Sequence, residues 1–171
     1  MAFLTISGFP CSGKSRRVEQ LRAHLEARFK DPSYQGPKLQ VVVVSDDTLN
    51  IPRSVYSGKQ VLGHIARQRA DYATDGRAEK PARGSLFTAV QRQMGQDTVL
   101  IVDSMNYIKG FRYQMYCAAR EHKLRVCTVS HIAVAARANP NGGKIFVVAT
   151  QDQCKEWNAA RDDGCVYTPE T

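Results

Sequence analysis

The stretch GFPCSGKS at Gly8–Ser15 satisfies the pattern G-x-x-x-x-G-K-[ST]. A short apolar run, Phe3–Ile6, precedes it, and an amphipathic stretch, Arg16–Phe29, follows it. Glycines at both ends of such a loop let the backbone wrap closely around an anion, so that successive N–H groups point at a phosphate. The following helix adds the positive end of its dipole. Because the motif lies between a predicted strand and a predicted helix, it indicates a nucleotide-binding P-loop rather than a glycine turn with an exposed lysine.

The loop residues have predicted roles in binding a nucleotide. We expect Lys14 to bridge the β- and γ-phosphates and the Ser15 hydroxyl to bind Mg²⁺. The residues predicted to contact the nucleotide are Gly8, Pro10, Cys11, Ser12, Gly13, Lys14, Ser15 and Arg16.

Aspartates follow two of the apolar runs. Asp103 ends the run Val99–Val102, and Asp46 and Asp47 come just after Val41–Val44. A P-loop site needs a carboxylate at the end of a neighbouring strand to hold the magnesium shell, and a second one can orient the attacking group. We therefore predict Ser15, Asp46 and Asp103 as metal-site residues, with Lys14 and Asp46 catalytic. The alternative, that these aspartates cap the helices that follow, stays open because Asp is a good N-cap residue.

Apolar runs alternate with amphipathic stretches along the chain, which is typical of a parallel α/β sheet with helices on both faces. The predicted strands are Phe3–Ile6, Leu39–Val44, Val99–Val102, Leu124–Ile132 and Ile145–Ala149, and the predicted helices include Arg16–Phe29, Gln60–Tyr72 and Ser85–Gln93. Between them we expect a mobile segment over Thr74–Gly84 and a loop over Ala135–Lys144. A further helix start is predicted at Tyr167–Glu170.

The sequence predicts structural roles for two further side chains, Asn106 and Trp157. Asn106 is predicted to cap a helix that places Ile108, Phe111, Met115 and Ala118 on one face, with Lys109, Arg112 and Tyr113 off that face. Trp157, on a predicted helix near the end of the chain, is predicted to be a packing anchor.

Composition limits the class of protein. The chain has 171 residues, of which 43% are hydrophobic and 23% charged, which are values of a globular domain. No apolar run approaches the ~20 residues of a membrane span, so we predict no membrane partner. Five cysteines without a CxxC pair indicate a reducing compartment, and we expect a cytoplasmic protein with the nucleus as a second location.

The charge balance suits a polyanionic partner. Lysine and arginine exceed aspartate and glutamate by 24 to 16, for a net charge of +8. The region Thr48–Gly95 holds eight of these basic residues against three acidic ones. A merely soluble basic surface is the alternative reading.

A longer stretch, VDSMNYIKGFRYQMYC at residues 102–117, resembles the signature of the killer-toxin-insensitivity family of Elongator-associated ATPases, which are linked to tRNA wobble-uridine modification. A related kinase that phosphorylates seryl-tRNA on the selenocysteine pathway carries a similar segment. The resemblance extends to the P-loop, to SDDTL at Ser45–Leu49 and to QCKEWNAAR within Gln151–Arg161.

This resemblance implies a kinase-like P-loop fold that binds ATP and Mg²⁺, is stimulated by tRNA and assists the Elongator complex. It maps Lys14 and Ser15 to the phosphate and magnesium groups, Asp46 and Asp103 to the two carboxylates, and Arg161 to a lid arginine that closes on the phosphates. We expect residues 1–171 to form the P-loop ATPase domain, with the helical tRNA-binding C-terminal domain of the family missing from this sequence.

Three functions follow as hypotheses. The first is tRNA-stimulated ATP hydrolysis by an accessory factor of the Elongator complex, which the run NYIKGFRYQ favours. The second is an aminoacyl-tRNA kinase of the seryl-tRNA type on the same scaffold. The third is a nucleotide-gated adaptor that binds partners and barely hydrolyses ATP.

Overall fold

The structure is a computed structural model that describes residues 1–8, 10–56, 79–131, 143–146 and 151–160. The strands are β1 (Ala2–Gly8), β2 (Gln40–Ser45), β3 (Thr98–Asp103), β4 (Arg125–His131) and β5 (Gly143–Phe146), and the helices are α1 (Lys14–Lys30), α2 (Glu79–Gln93), α3 (Lys109–Glu121) and α4 (Gln151–Ala159), with a 3-10 helix at Arg53–Tyr56. Strands and helices alternate from β1 to β4, and β5 and a last helix follow.

The strands form one five-stranded sheet in the order β2-β3-β1-β4-β5, and every neighbouring pair is parallel. Parallel strands require crossover connections, and α1, α2 and α3 lie on the connections that join β1 to β2, β2 to β3 and β3 to β4. Ser45 of β2 pairs with Asp103 of β3, and Ile6 of β1 pairs with the same Asp103 on its other side. The carboxyl ends of these three strands therefore meet at one edge of the sheet, directly beside the P-loop.

Helices cover both faces of the sheet, and each face has its own apolar core. On one face Phe3, Leu100 and Val102 pack with Leu86 of α2 and Met115 of α3. On the other face, the core contains the strand residues Leu4, Ile6, Val99 and Ile101. They pack with four residues of α1, namely Val18, Leu21, Leu25 and Phe29. Burial on both faces explains the unbroken apolar run of β3, whereas β2, at the edge of the sheet, is only partly buried over residues 41–43. The predicted fold class is confirmed.

Two predicted boundaries are wrong. Helix α2 begins at Glu79, inside the segment predicted to be mobile, and the buried Glu79 carboxylate accepts a hydrogen bond from the Tyr107 hydroxyl at 2.8 Å. That contact, between residues far apart in sequence, anchors the first turn. Gly143 and Lys144 belong to strand β5 rather than to a loop, because pairing with β4 extends the strand. The predicted helices at Gln60–Tyr72 and Tyr167–Glu170 lie outside the described residues.

Helix α3 carries the predicted apolar stripe, but Asn106 is not its cap. Ile108 takes the N-cap position, and Met115 and Ala118 are buried against the sheet. In the part of the chain that the structure describes, no helix has the length and apolar character needed to cross a membrane.

Candidate nucleotide site

The P-loop runs from the end of β1 into the first turn of α1, and its glycine at position 13 makes that turn possible. Gly13 is the N-cap residue of α1 and has a φ of 80°, a backbone conformation that side chains rarely tolerate. The Lys14 ammonium folds back over the loop and donates a hydrogen bond to the Gly8 carbonyl oxygen at 3.1 Å. Burial lowers the pKa of Lys14, while the carboxylate of Asp103 opposes that shift. The loop therefore holds a desolvated cation at the end of β1.

The remaining loop residues differ in how they can meet a nucleotide. The Ser12 Oγ is buried and finds no hydrogen-bond partner among the described residues, so this hydroxyl fits a phosphate ligand. Pro10 is half-buried, whereas Gly13 and Arg16 are exposed at the start of α1. Cys11 has a φ of 56°, and its thiol donates to Asn158 Oδ1 of α4 at 3.1 Å. Helix α4 therefore contacts the phosphate loop directly.

Ser15 and Asp103 form the first half of a possible magnesium site. The Ser15 side chain and the Asp103 carboxylate line the same pocket, at the carboxyl end of β3. Burial raises the pKa of Asp103, and interaction with Ser15 and the charge of Lys14 oppose this. Hydroxyl and carboxylate oxygens are the ligands that Mg²⁺ prefers. No cluster of three or more His, Cys, Asp or Glu side chains occurs in the described ranges, so magnesium here would also need oxygens from phosphate and water.

Asp46 lies one residue beyond β2, next to Asp103. Its backbone N–H donates to the Asp103 carbonyl oxygen at 3.3 Å, which fixes the two aspartates side by side. Burial raises the pKa of Asp46, and hydrogen bonds from the Ser104 and Tyr56 hydroxyls oppose the shift. Asp47, by contrast, is exposed and lies 3.9 Å from Arg53. The structure thus distinguishes the two neighbouring aspartates, and it places Asp46 at the site.

The alternative that these aspartates cap helices is wrong for both. Residues 46–50 form a turn, and the N-cap of α3 is Ile108, well beyond Asp103. Each carboxylate is instead held by hydroxyl groups from other parts of the chain. Two of these hydroxyls come from Tyr56 and Ser104, which the sequence does not predict as site residues. Only its hydrogen bond to Asp46 identifies Tyr56.

Asn106 links the two strands that carry the site. It has a φ of 44°, and its side-chain amide donates to the Ile6 carbonyl oxygen at 2.9 Å and to the Val102 carbonyl oxygen at 3.3 Å. Arg112 in turn donates to the Asn106 carbonyl oxygen at 2.6 Å. Asn106 therefore fixes the end of β1 against the end of β3, and Arg112 supports that loop rather than facing the nucleotide.

The sequence makes two predictions about α4 and the residues just after it, and the structure contradicts the first. Trp157 is 48% exposed, so it is not the packing anchor that the sequence suggested. Its neighbour Asn158 makes the contact to the P-loop instead. Arg161, the predicted lid arginine, lies outside the described residues.

The whole chain is similar to the members of one protein family. A family model described as "Chromatin associated protein KTI12" matches residues 1–171. The fission yeast protein kti12 is 31% identical over 95% of this chain and 46% of its own length. The human KTI12 homolog is 34% identical over 96% of this chain and 42% of its own length. The chain thus spans about half the length of these curated relatives.

Solved structures give the same picture. The crystal structure of Chaetomium thermophilum Kti12 in complex with ADP-AlF3 is 30% identical, with a TM-score of 0.67, covering 98% of this chain and 74% of that one. The structure of APE1195, at 12% identity and a TM-score of 0.52, supports the fold alone.

Proposed function

The chain belongs to the KTI12 family, and from this premise we propose that residues 1–171 form a P-loop domain that binds ATP and Mg²⁺ and hydrolyses ATP. We further propose that tRNA stimulates this hydrolysis and that the protein serves the Elongator complex in wobble-uridine modification. The observation that carries the proposal is the meeting of Lys14, the Ser15–Asp103 pair and Asp46 at one edge of the sheet. A relative of this family has been crystallised with ADP-AlF3.

In the proposed reaction, a water oxygen attacks the γ-phosphorus and the bond to the β–γ bridging oxygen breaks, releasing ADP and phosphate. Lys14 would neutralise charge on the transferring phosphoryl group, and the loop N–H groups and Ser12 hydroxyl would hold the phosphates. Asp46 would orient the water and accept its proton. Ser15, Asp103 and Asp46 would hold Mg²⁺, which when bound neutralises charge on the phosphate oxygens.

The fate of the γ-phosphate of ATP distinguishes the three candidate functions. Full-length protein is incubated with γ-labelled ATP, with and without tRNA, and the fate of the label is followed. We expect free phosphate, a higher rate with tRNA and tRNA that stays unlabelled. Label on seryl-tRNA with little free phosphate would establish the kinase instead. Tight ATP binding without turnover in either condition would establish the adaptor.

Five basic residues are the proposed contact with tRNA: Arg67, Arg69, Arg77, Lys80 and Arg83. Lys80 is exposed on α2, and the Arg83 side chain on the same helix lies 3.8 Å from the Glu79 carboxylate. The other three residues of this set lie outside the described residues. Binding through phosphates releases counterions, so tRNA affinity should fall steeply with salt. Reversing the charges of these five residues should flatten the salt dependence, and an unchanged slope would place the tRNA contact elsewhere.

We propose a cytoplasmic and nuclear location for this domain. The family description, which refers to chromatin, supports the nuclear part. Fractionation of cells that express the tagged protein tests this, and a protein confined to one compartment would contradict it.

A further inference from the structure

The proposed reaction gives no role to one hydrogen bond that Asp46 accepts. The Tyr56 hydroxyl donates a hydrogen bond to Asp46 Oδ1 at 3.0 Å. The same hydroxyl lies 3.4 Å from the Ser104 Oγ, and interaction with Ser104 opposes the rise that burial causes in the pKa of Asp46. Tyr56 ends the 3-10 helix Arg53–Tyr56 after β2, and Ser104 directly follows β3. Two hydroxyls from different elements therefore converge on one carboxylate.

The carboxylate of Asp46 needs such support because of its surroundings. It is partly buried and lies near the negative charges of Asp103 and Asp47. Rotation about the terminal bond of an aspartate is soft, so without donors the carboxylate has no fixed orientation. A carboxylate offers about four lone-pair sites, and the two hydroxyls leave capacity for a water or a cation.

The Tyr56 side chain has two separable parts. Its ring packs against the core that contains Leu86 and Val102, whereas its hydroxyl reaches Asp46. Replacing Tyr56 with phenylalanine keeps the ring and removes only the hydroxyl. The structural contribution and the contribution to the site can therefore be measured apart.

We propose that Tyr56 is a positioning residue that, together with Ser104, holds the Asp46 carboxylate in the orientation that the transferring phosphoryl group requires. The proposal rests on the function proposed above for Asp46. Hydrogen bonds to charged groups are among the stronger ones, so loss of this bond should be measurable in the transition state.

The first experiment compares Tyr56→Phe with the parent protein and with Tyr113→Phe, whose hydroxyl is on the exposed surface of α3. We expect Tyr56→Phe to lower kcat about tenfold while KM for ATP changes less than about twofold. Tyr113→Phe should match the parent in both parameters. Tyr56→Phe should lower the thermal midpoint by only a few degrees, since the ring is retained and one hydrogen bond is lost. An unchanged kcat in Tyr56→Phe would overturn the proposal.

The second experiment repeats the substitution in an Asp46→Asn background. If Tyr56 acts through the carboxylate, removing its hydroxyl should have little further effect there, so the two changes are not additive. A tenfold loss from Tyr56→Phe in both backgrounds would show that Tyr56 acts on something other than Asp46, and this would also overturn the proposal.

A binding measurement separates this proposal from the proposed hydrolysis. Affinities for ADP with Mg²⁺ are measured with and without aluminium fluoride, which mimics a transferring phosphoryl group. We expect Tyr56→Phe to lose about tenfold in affinity only when aluminium fluoride is present. This holds even if the parent protein proves unable to hydrolyse ATP, in which case the hydrolysis proposal fails and the positioning role stands. Equal effects of the substitution with and without aluminium fluoride, or no effect, would overturn the positioning role.

Discussion

The two sides of the site are built in opposite ways. On the phosphate side, the loop between β1 and α1 concentrates donors, with a buried Ser12 hydroxyl that lacks a partner among the described residues and a desolvated Lys14. On the carboxylate side, the acceptors are already surrounded by hydroxyl groups, since Tyr56 donates to Asp46, Ser104 lies beside that pair, and Ser15 lowers the pKa of Asp103. The phosphate side is therefore completed by its ligand, and the carboxylate side is organised by the protein itself.

This difference predicts different consequences when each side is altered. Changes on the phosphate side should appear in nucleotide binding, because the phosphates of the nucleotide accept the donors that this side presents. Changes on the carboxylate side should appear in the rate of the chemical step, because its groups are already oriented before the nucleotide arrives.

The largest effect is expected at Lys14. Lys14→Ala removes the cation of the phosphate side, and we expect ATP binding to weaken strongly and turnover to fall about 10²–10³-fold. Measurements of ATP affinity and phosphate release test this. Lys30→Ala, an exposed position at the other end of α1, is the matched control and should behave as the parent. A folded Lys14→Ala protein with unchanged affinity and turnover would contradict the P-loop assignment.

Asp46→Asn and Asp103→Asn should have the next largest effect. We expect each to lower kcat about 10²-fold with a much smaller change in ATP affinity, because an interaction realised mainly in the transition state affects kcat rather than binding. Asp97→Asn, at the opposite end of β3 and exposed, serves as the control. If both variants instead lose ATP affinity and keep kcat, the contrast between the two sides is wrong.

Asn106 joins the two sides, and its substitution should affect stability. Asn106→Ala leaves the buried carbonyl oxygens of Ile6 and Val102 without this donor, and we expect a loss of about 2 kcal/mol or more in the free energy of unfolding. Asn106→Gly loses the same bonds but tolerates the positive φ, so it should be more stable than Asn106→Ala by about 1 kcal/mol. Urea unfolding of the two variants measures both contributions. Equal stability of the two would show that the backbone conformation at this position carries no strain.

The smallest effect concerns pH. Burial lowers the pKa of Lys14 in the ligand-free protein, so the ammonium loses its proton closer to neutrality than an ordinary lysine does. Bound phosphate favours the charged form, so nucleotide affinity should fall as pH rises through this lowered pKa, and binding should take up protons there. We expect the affinity to fall a few-fold across the alkaline range below the pKa of an ordinary lysine. Lys14→Arg, which stays protonated, should flatten this dependence, and a flat profile in the parent would contradict it.

The phosphate side was predictable from sequence, and the carboxylate side only in part. The pattern of Gly8–Ser15 is local, and the strand and helix around it follow from periodicity over a few residues. Asp46 and Asp103 were found because each ends an apolar run. Tyr56 was not, because its contact depends on the 3-10 helix after β2 folding back over the sheet edge. The sequence also does not reveal the role of Asn106, whose position before α3 predicts a cap, because its partner Ile6 in β1 is far away in sequence.

The exposure of Trp157 has a spectroscopic consequence. Trp157 is the single tryptophan of the chain, and it is about half exposed. It directly precedes Asn158, whose Oδ1 accepts a hydrogen bond from the Cys11 thiol. Indole fluorescence depends on the polarity around the ring, so any shift of α4 relative to the phosphate loop should change the colour and intensity of the emitted light. The domain therefore carries its own optical probe, and a nucleotide titration needs no attached dye.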